Sequence, residues 1–374
     1  MTNKPASNMD VKQRNRSNTL RCILTQDHIS QMELTQRLGL SWPTVLQNVK
    51  ELTQLGLIQE AGQYESTGGR KAKAYAPIRD ARLAVGLDLT GNHISIVLID
   101  LCGQLVRYKR KISPFSLSQE YMQTLGELVR QFIAENHAQD RILGIGISLP
   151  GIVSEAEDFL VYSHILNVRD VPTSTFCQQL PYPCNFINDA NAAGLAEIYG
   201  NPTAKNLIYL SLSNSVGGAI LIHDSLYTGS NLRAGEFGHN TLVPHGRTCY
   251  CGKKGCVDAY CSAKVLSDYT KGSLPDFFQG LREGNPRLLQ VWQEYLEYLA
   301  IAINNLRMSF DCSVIAGGYV GAFLEEFGGP LGPLLKERNT FQADASYFKP
   351  CRYKLEASAV GAALVQVETF IQNL

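Results

Sequence analysis

A chain of 374 residues with 45% hydrophobic content is long enough to bury two or three separate cores. Its formal net charge is zero, but residues 1–75 carry ten Lys/Arg against six Asp/Glu, a net charge of +4. A basic head on a slightly acidic remainder suits a protein whose head meets a polyanion, although a chance fluctuation in surface charge would look the same. No apolar run reaches the length of a membrane span and no hydrophobic signal segment is visible, so we expect a cytoplasmic protein without disulfides.

The head is predicted to begin with a flexible basic arm over residues 1–15, followed by a winged helix-turn-helix over residues 16–76. Ser30 and Glu33 form an S-x-x-E capping box that begins the second helix, and Gly39 is expected to end it. The next helix is predicted to begin with a serine cap and to tolerate a proline in its first turn. This helix–Gly–helix spacing is typical of a helix-turn-helix, whose second helix enters the major groove of DNA.

The outward side chains of that second helix are the predicted readers of DNA bases, because Gln and Asn can bind adenine through two hydrogen bonds. A glycine-containing tip at residues 66–71, between two short strands, would form a wing whose cations reach phosphates or the minor groove. The predicted DNA-binding residues are Trp42, Thr44, Gln47, Asn48, Arg70 and Lys71. The alternative is a three-helix packing or dimerisation module. Residues 77–82 are interpreted as a linker.

The body, residues 83–374, contains a repeat. Residues 84–112 and 206–228 each show three strands separated by short turns, and helices and further strands follow each set. Two such units predict an α/β, actin-like duplicated fold with two lobes and a ligand cleft, as in sugar kinases and Hsp70. The predicted lobes are about 83–190 with the C-terminal helix 356–374, and about 191–355.

A strand predicted over residues 185–188 delivers a carboxylate to the start of an Ala-rich helix. Asp189 would lie at the carboxyl end of this strand, beside the helix N-terminus, where ligands of α/β sheets bind. It would serve there as a general base toward a sugar hydroxyl or as a hydrogen-bond acceptor. A plain helix cap explains the pattern almost as well.

Three cysteines and one histidine lie close together in the segment 239–258. Cys249, Cys251 and Cys256 form a C-x-C-x4-C cluster, and His239 precedes it by ten residues. Three thiolates and one imidazole are the ligands of a closed tetrahedral zinc site, and the adjacent glycines allow a tight loop. We therefore expect a structural Zn²⁺ ion.

Together these motifs resemble the ROK family of repressors, open reading frames and kinases, over essentially the whole chain. The motifs that carry the resemblance are S-T-G-G-R at 66–70, G-I-S-L-P-G at 146–151, N-D-A-N at 188–191, E-F-G-H at 236–239 and C-x-C-G-x-x-G-C at 249–256. The first of them, at the end of a winged helix, marks the repressor branch of the family.

The resemblance implies roles for individual residues. The histidine of E-x-G-H and the three loop cysteines would hold zinc, and Asp189 would be the catalytic base in a kinase. Asp258 stands where the family usually has the longer glutamate, which would alter which sugar fits or weaken its binding. Asn167 lies where the family often places a sugar-binding asparagine, although a turn asparagine is equally plausible. The implied sugar-binding residues are Asn188, Asp189, Glu236, His239, Asp258, Gly151 and Asn167.

The phosphate-binding loops favour the repressor branch over the kinases. ROK kinases open with D-x-G-G-T, whereas residues 88–93 read D-L-T-G-N-H and lack one glycine. In the second loop the side chains of Ser213 and Ser215 would crowd a phosphate, although the glycine turn at 316–318 is retained. We expect no kinase activity, and instead a sugar-responsive transcriptional repressor that binds operator DNA as a homodimer or dimer of dimers and responds to a monosaccharide. The alternatives are an ATP-dependent ROK sugar kinase with an appended DNA-binding head, and a sugar sensor whose head binds protein.

Overall fold

The structure, a computed structural model, describes residues 8–63, 73–154, 158–199 and 205–374. The predicted wing tip with Arg70 and Lys71 lies outside these residues. Within the described ranges, no helix combines the length and the apolar character needed to cross a bilayer.

Within its described residues, the head contains three helices and an antiparallel sheet of order β1-β3-β2. Its elements are α1 (Asn8–Leu24), β1 (Ile29–Ser30), α2 (Gln31–Leu38), α3 (Trp42–Gln54), β2 (Ile58–Gln63) and β3 (Lys73–Pro77). Because α1 begins at Asn8, the prediction of a flexible arm is wrong for residues 8–15. Lys12 of this stretch and Arg16, the residue that follows it, pair with Glu51 of α3, a distant partner that sequence periodicity does not reveal.

The predicted start and end of α2 and the predicted start of α3 are confirmed. The Ser30 hydroxyl oxygen accepts a hydrogen bond from the Glu33 backbone N–H, and the Glu33 carboxylate accepts one from the Ser30 backbone N–H. Helix α2 ends at Gly39, which adopts a left-handed φ of 63° that favours glycine. The Ser41 side chain caps α3 by accepting from the Thr44 backbone N–H.

The segment predicted as a linker, residues 77–82, is attached to both neighbouring parts. It contains a 3-10 turn at Arg79–Ala81. Arg79 pairs with Asp27 of the head, whereas the neighbouring Asp80 pairs with Arg141 of the body.

The first lobe is built on a five-stranded sheet of order β11-β7-β4-β5-β6 and a small sheet of order β10-β9-β8. Its elements are β4 (Leu83–Leu89), β5 (His93–Asp100), β6 (Leu105–Ile112), α4 (Gln119–Glu135), β7 (Ile142–Leu149), β8 (Ile152–Ser154), β9 (Phe159–Ser163), β10 (Val168–Pro172), α5 (Ser174–Cys177) and β11 (Cys184–Asn188).

After α6 (Asp189–Ile198), the second lobe is built on a five-stranded sheet of order β14-β13-β12-β15-β16. Its strands and helices are β12 (Leu207–Leu212), β13 (Val216–Ile222), β14 (Ser225–Leu226), α7 (Asp258–Cys261), α8 (Ala263–Ser267), α9 (Leu274–Arg282), α10 (Pro286–Phe310), β15 (Ser313–Gly317), α11 (Gly318–Gly321), α12 (Leu324–Phe327), α13 (Leu331–Arg338) and β16 (Phe348–Pro350). The final helix, α14 (Ala357–Gln372), packs on strands β4 and β7 of the first lobe.

The two large sheets have the same topology. In each sheet, the first three strands pair antiparallel in chain order. A fourth strand pairs parallel with the first, and a fifth strand pairs parallel with the fourth. The predicted duplication is therefore confirmed, and the fold is the α/β two-lobed type expected from the repeat.

Helices α6 and α14 form a layer between the two sheets. Helix α14 contacts α6 and strands β4 and β7, and α6 also contacts β12 and β13. The close approach of α14 requires glycine in the first sheet, since a Cβ atom at Gly86 or Gly146 would lie 1.9 or 1.8 Å from a carbonyl oxygen of α14. One apolar cluster runs from Leu20 and Ile23 of the head through this layer to Val367 and Ile371. The head is therefore packed onto the helical layer of the body.

Candidate functional site

The predicted metal-binding residues come together in the structure. One ring nitrogen of His239 and the sulfur atoms of Cys249, Cys251 and Cys256 all lie within 4.8 Å of one another. The sulfur atoms of Cys251 and Cys256 are 3.8 Å apart. Nδ1 of His239 is buried and has no hydrogen-bond partner among the described residues. A buried polar atom without a partner is costly, so a metal ion bound by this group would satisfy the ring nitrogen.

The loop that carries the cysteines depends on two glycines with positive φ angles, 87° at Gly252 and 84° at Gly255. A Cβ atom at Gly255 would lie 1.8 Å from the carbonyl oxygen of Val243, so a larger residue does not fit there. The N–H of Leu242 also donates to the carbonyl oxygen of Gly255 at 2.7 Å. These contacts hold the cysteine loop against the segment that carries His239.

Asn188 and Asp189 lie at the junction of β11 and α6. The Asn188 side chain accepts a hydrogen bond from the backbone N–H of Asn191, so Asn188 is the cap of α6. Its Nδ2 donates to the carbonyl oxygen of Gly151 at 2.9 Å and to Oδ1 of Asp189 at 3.0 Å. Since Asn188 caps the helix, the Asp189 carboxylate does not serve as the plain N-cap.

Gly151 has a structural reason to be glycine. Its φ is +126°, and a Cβ atom there would lie 2.3 Å from the carbonyl oxygen of Tyr162. The residue places its own carbonyl oxygen against the Asn188 amide. Its part in the predicted sugar site is therefore to position Asn188.

Asp189 lines a cavity of about 410 Å³ between the two lobes. Burial, together with the negative charges of Asp88 and Glu236, raises the pKa of Asp189 to about 7. Asp88 also lines the cavity, and burial raises its pKa to about 6 although Ser148 donates a hydrogen bond to it at 2.9 Å. The loops at 90–93 and 213–215 complete the end of the cavity where the sequence predicted damaged phosphate loops.

Asp258, one of the predicted sugar-binding residues, is buried. Its side chain is 6% exposed, and Oδ2 accepts a hydrogen bond from the Val216 backbone N–H at 2.7 Å. Burial raises its pKa. The shorter side chain therefore joins the metal loop to the β12–β13 turn, a structural contact that the sequence comparison with glutamate did not indicate.

Asn167 adopts a left-handed φ of 53° and is exposed, and its N–H donates to the carbonyl oxygen of His164. The cavity wall here is formed by His164 and Ile165 instead. The turn interpretation of Asn167 fits the structure better than the sugar-binding one.

The predicted DNA-reading face of α3 needs one correction. Trp42 is 50% exposed, Thr44 is half-buried and Gln47 is exposed.

Asn48 is 2% exposed, and its Nδ2 donates to Oγ1 of Thr19 at 2.9 Å, so the prediction that it contacts bases is wrong. At 100° per residue, position 48 falls on the same helix face as the buried Val45, Val49 and Leu52. Leu46 and Lys50 are exposed instead.

Four aromatic or basic residues at the cleft were missed from the sequence. His164 of the first lobe stacks on Tyr250, with ring centroids 4.4 Å apart and planes at 8°. Arg110 of β6 lies over the ring of Tyr319 in the second lobe, 5.6 Å from its centroid. Only Tyr250 carried a sequence signal, because it lies between two predicted metal ligands. The other three come from segments that meet only in the folded chain.

Comparison with known proteins identifies both parts of the chain. Residues 84–368 match the ROK family, and residues 13–59 match the winged helix-turn-helix DNA-binding domain. The chain belongs to the ROK family.

ROK relatives of both branches resemble this chain. It is 29% identical over 314 residues to the xylose repressor of Bacillus spizizenii, with 82% of each chain covered. It is 28% identical to the N-acetylmannosamine kinase of Escherichia fergusonii, covering 97% of that protein but 75% of this chain. A crystal structure of a ROK family transcriptional regulator, a homologue of the E. coli MLC protein, superposes with a TM-score of 0.77 over 97% of both chains at 22% identity. The repressor and regulator relatives therefore match more of this ROK chain than the kinase does.

Proposed function

We propose that this ROK protein is a sugar-responsive transcriptional repressor, whose operator affinity falls when a monosaccharide binds between the lobes. The observation that carries the proposal is the packing of a winged helix-turn-helix onto the helix that borders the ligand cavity. The xylose repressors that match most of the chain support the same function and make D-xylose the first sugar to test.

The metal in the proposed mechanism is zinc. Three sulfur atoms and one imidazole nitrogen form a donor set that zinc prefers over harder cations. With zinc–sulfur bonds of about 2.3 Å, tetrahedral geometry places two sulfur atoms about 3.8 Å apart. This agrees with the separation of Cys251 and Cys256. Bound zinc supplies structural support to the loop, and His239 would bind through Nδ1 and keep Nε2 for a second partner.

The sugar would lie near Asp189, Glu236 and His239. Asp189 and Asn188 offer a carboxylate and an amide at the start of α6, and Glu236 offers an exposed carboxylate within 3.9 Å of the His239 ring. Carboxylates and amides bind the paired hydroxyls of sugars through several short hydrogen bonds. The effector class we propose is a neutral monosaccharide.

The proposal assigns no phosphoryl transfer to the cleft. Thr90 replaces one glycine of the D-x-G-G-T loop, Asn92 and His93 add bulk beside it, and Ser213 and Ser215 put side chains into the second loop, where kinases of the family use glycine. Arg110 and Tyr319 approach each other across the same end of the cavity. Both features reduce the room for a nucleotide phosphate. The 28% identity to an N-acetylmannosamine kinase keeps a sugar kinase as the second candidate.

Coupling to DNA would pass through α14. Ala357 and Ser358 at its start line the cavity. Near its end, Glu368 pairs with Arg21 at 2.7 Å and the carbonyl oxygen of Ile371 accepts from the Ser17 hydroxyl at 2.6 Å. A sugar that favours one position of α14 would therefore change the position of α1. To act as an inducer, the sugar must bind the arrangement of α14 and α1 that does not bind DNA more tightly than it binds the DNA-binding arrangement.

The DNA-bound form we propose is a homodimer. Two winged helices related by twofold symmetry would contact the half-sites of a pseudo-palindromic operator.

Two measurements test the proposed function. Fluorescence anisotropy with DNA from the protein's own promoter should show binding that weakens steeply with salt and weakens again when D-xylose or another sugar of a panel is added. An ADP-release assay with the same sugars should show no turnover. If the wild-type protein turns over a sugar and Asp189→Asn does not, the protein is a sugar kinase. The proposal of a repressor that has no enzymatic activity is then rejected.

A further inference from the structure

Tyr250 lies between two of the metal-binding cysteines, and its hydroxyl oxygen is 3.3 Å from Nε2 of His239. When Nδ1 of His239 binds the metal, the ring proton is on Nε2, and a single N–H donates one good hydrogen bond. The proposed function gives this hydrogen bond to a sugar hydroxyl. Tyr250 and the sugar therefore require the same donor.

The ring of Tyr250 is held in this position from the opposite lobe. It stacks on His164, which belongs to the segment between β9 and β10 and lines the cleft. It also packs against the His239 ring in a T-shaped arrangement, with centroids 5.4 Å apart and planes at 64°. The stack is the kind of aromatic contact that adds stability beyond the area it buries.

Tyr250 is nevertheless able to leave. Its side chain is 48% exposed, so rotation into solvent opens no hole in the core. The backbone of the loop would stay in place, because the Cys249 N–H donates to the carbonyl oxygen of Lys253 at 2.8 Å and the metal would hold both neighbouring cysteines. The side chain alone can therefore exchange between His239 and solvent.

We propose that Tyr250 is an internal competitor that sets the affinity of the sugar site. Its hydroxyl accepts the Nε2–H hydrogen bond of His239 in the empty protein, and the sugar must displace it. The inference rests on the proposed function, since it assumes that a sugar hydroxyl binds His239. The competition also links sugar binding to the contact between the two lobes, because displacement of Tyr250 breaks its stack on His164 of the first lobe.

The variant Tyr250→Phe tests the competition, because it keeps the ring and the stack but removes the oxygen. Isothermal titration of the zinc-loaded full chain with D-xylose, D-glucose and N-acetyl-D-mannosamine would measure the dissociation constants. For any sugar that binds the wild-type protein, removal of one competing hydrogen bond should tighten binding about 3- to 10-fold. Tyr269→Phe, an exposed tyrosine of the second lobe outside the cavity lining, is the matched control and should change nothing.

Each other outcome overturns the inference. Weaker binding by Tyr250→Phe would show that the hydroxyl contacts the sugar directly, and unchanged binding would show that it does not compete. Zinc content measured on the same samples should be one ion per chain, and loss of zinc from the variant would assign Tyr250 to the stability of the metal site. If the wild-type protein holds zinc and binds its operator but binds none of a broad sugar panel, the proposed function itself fails.

Discussion

The Ser358 hydroxyl donates a hydrogen bond to the backbone carbonyl oxygen of Asp189 across 3.0 Å. This contact joins the first turns of α14 and α6, the two helices that lie between the lobes. Asp189 belongs to the proposed sugar site, and the other end of α14 holds the head. One helix therefore borders the cavity of the proposed sugar site at its first turn and the winged helix-turn-helix at its last.

Glu368→Gln is expected to uncouple the two ends of α14. The substitution keeps the shape of the side chain but removes the charge that pairs with Arg21. Because the pair is partly exposed, stability should change by less than about 1 kcal/mol. Sugar affinity should stay the same, while the sugar-induced drop in operator affinity becomes smaller, as measured by anisotropy titrations. Glu326→Gln breaks the exposed Arg282–Glu326 pair of the second lobe and serves as the control. A full-sized response in Glu368→Gln would contradict the coupling route.

Asn48→Ala should destabilise the head instead of changing which bases it reads. The substitution removes the buried hydrogen bond to Thr19, and loss of a buried partner costs about 1–3 kcal/mol. Gln47→Ala, one residue away on the exposed face, should leave stability within about 0.5 kcal/mol but weaken operator binding. Urea unfolding and anisotropy on both variants separate the two effects. Normal stability of Asn48→Ala with altered base preference would return Asn48 to the DNA interface.

Cys251→Ser should remove the metal and the sugar response together. Cys251 is exposed, so the serine opens no cavity, and a neutral hydroxyl is a poor substitute for a thiolate ligand. Metal analysis should show less than one zinc ion per chain, and titration should show loss of sugar binding while operator binding remains. Cys177→Ser in the first lobe is the matched control. A variant with full metal content would place the ion elsewhere.

Asp189→Asn should change how stability depends on pH. The folded pKa of Asp189, about 7, lies above its ordinary value of 3.8, so between these values the unfolded chain releases a proton that the folded chain keeps. The stability of the wild-type protein therefore falls as pH rises through this window, and the non-ionising asparagine removes this contribution.

Thermal unfolding between pH 4.5 and pH 8 would measure this difference. Asp189→Asn should be the more stable protein at pH 8, by on the order of 4 kcal/mol, with a smaller gain at pH 4.5. Asp344→Asn is a control of opposite sign, because hydrogen bonds from Ser346 lower the pKa of that exposed carboxyl. A gain for Asp189→Asn that does not depend on pH would contradict the raised pKa.

Some parts of this protein were accessible from short stretches of sequence. The helix starts at Ser30 and Ser41 follow from hydrogen bonds within three residues of each cap, and the helix end at Gly39 follows from the left-handed φ that glycine adopts. The duplicated sheets follow from three short strands that recur in the same order. The metal group follows from cysteines only a few residues apart, because chain spacing limits where their sulfur atoms can lie.

Other parts depended on contacts between residues far apart in the chain. Lys12 and Arg16 of α1 pair with Glu51 of α3, and the buried Asn48 donates to Thr19 of α1. Caps, turns and metal loops are stabilised within a few residues, so the local pattern was sufficient to predict them. The burial of Asp258 depends on contact between the metal loop and the β12–β13 turn, and the stack of Tyr250 on His164 depends on contact between the lobes. The route along α14 exists only once the head has packed on the body. Burial and stacking are properties of neighbours in space and not of neighbours in the chain.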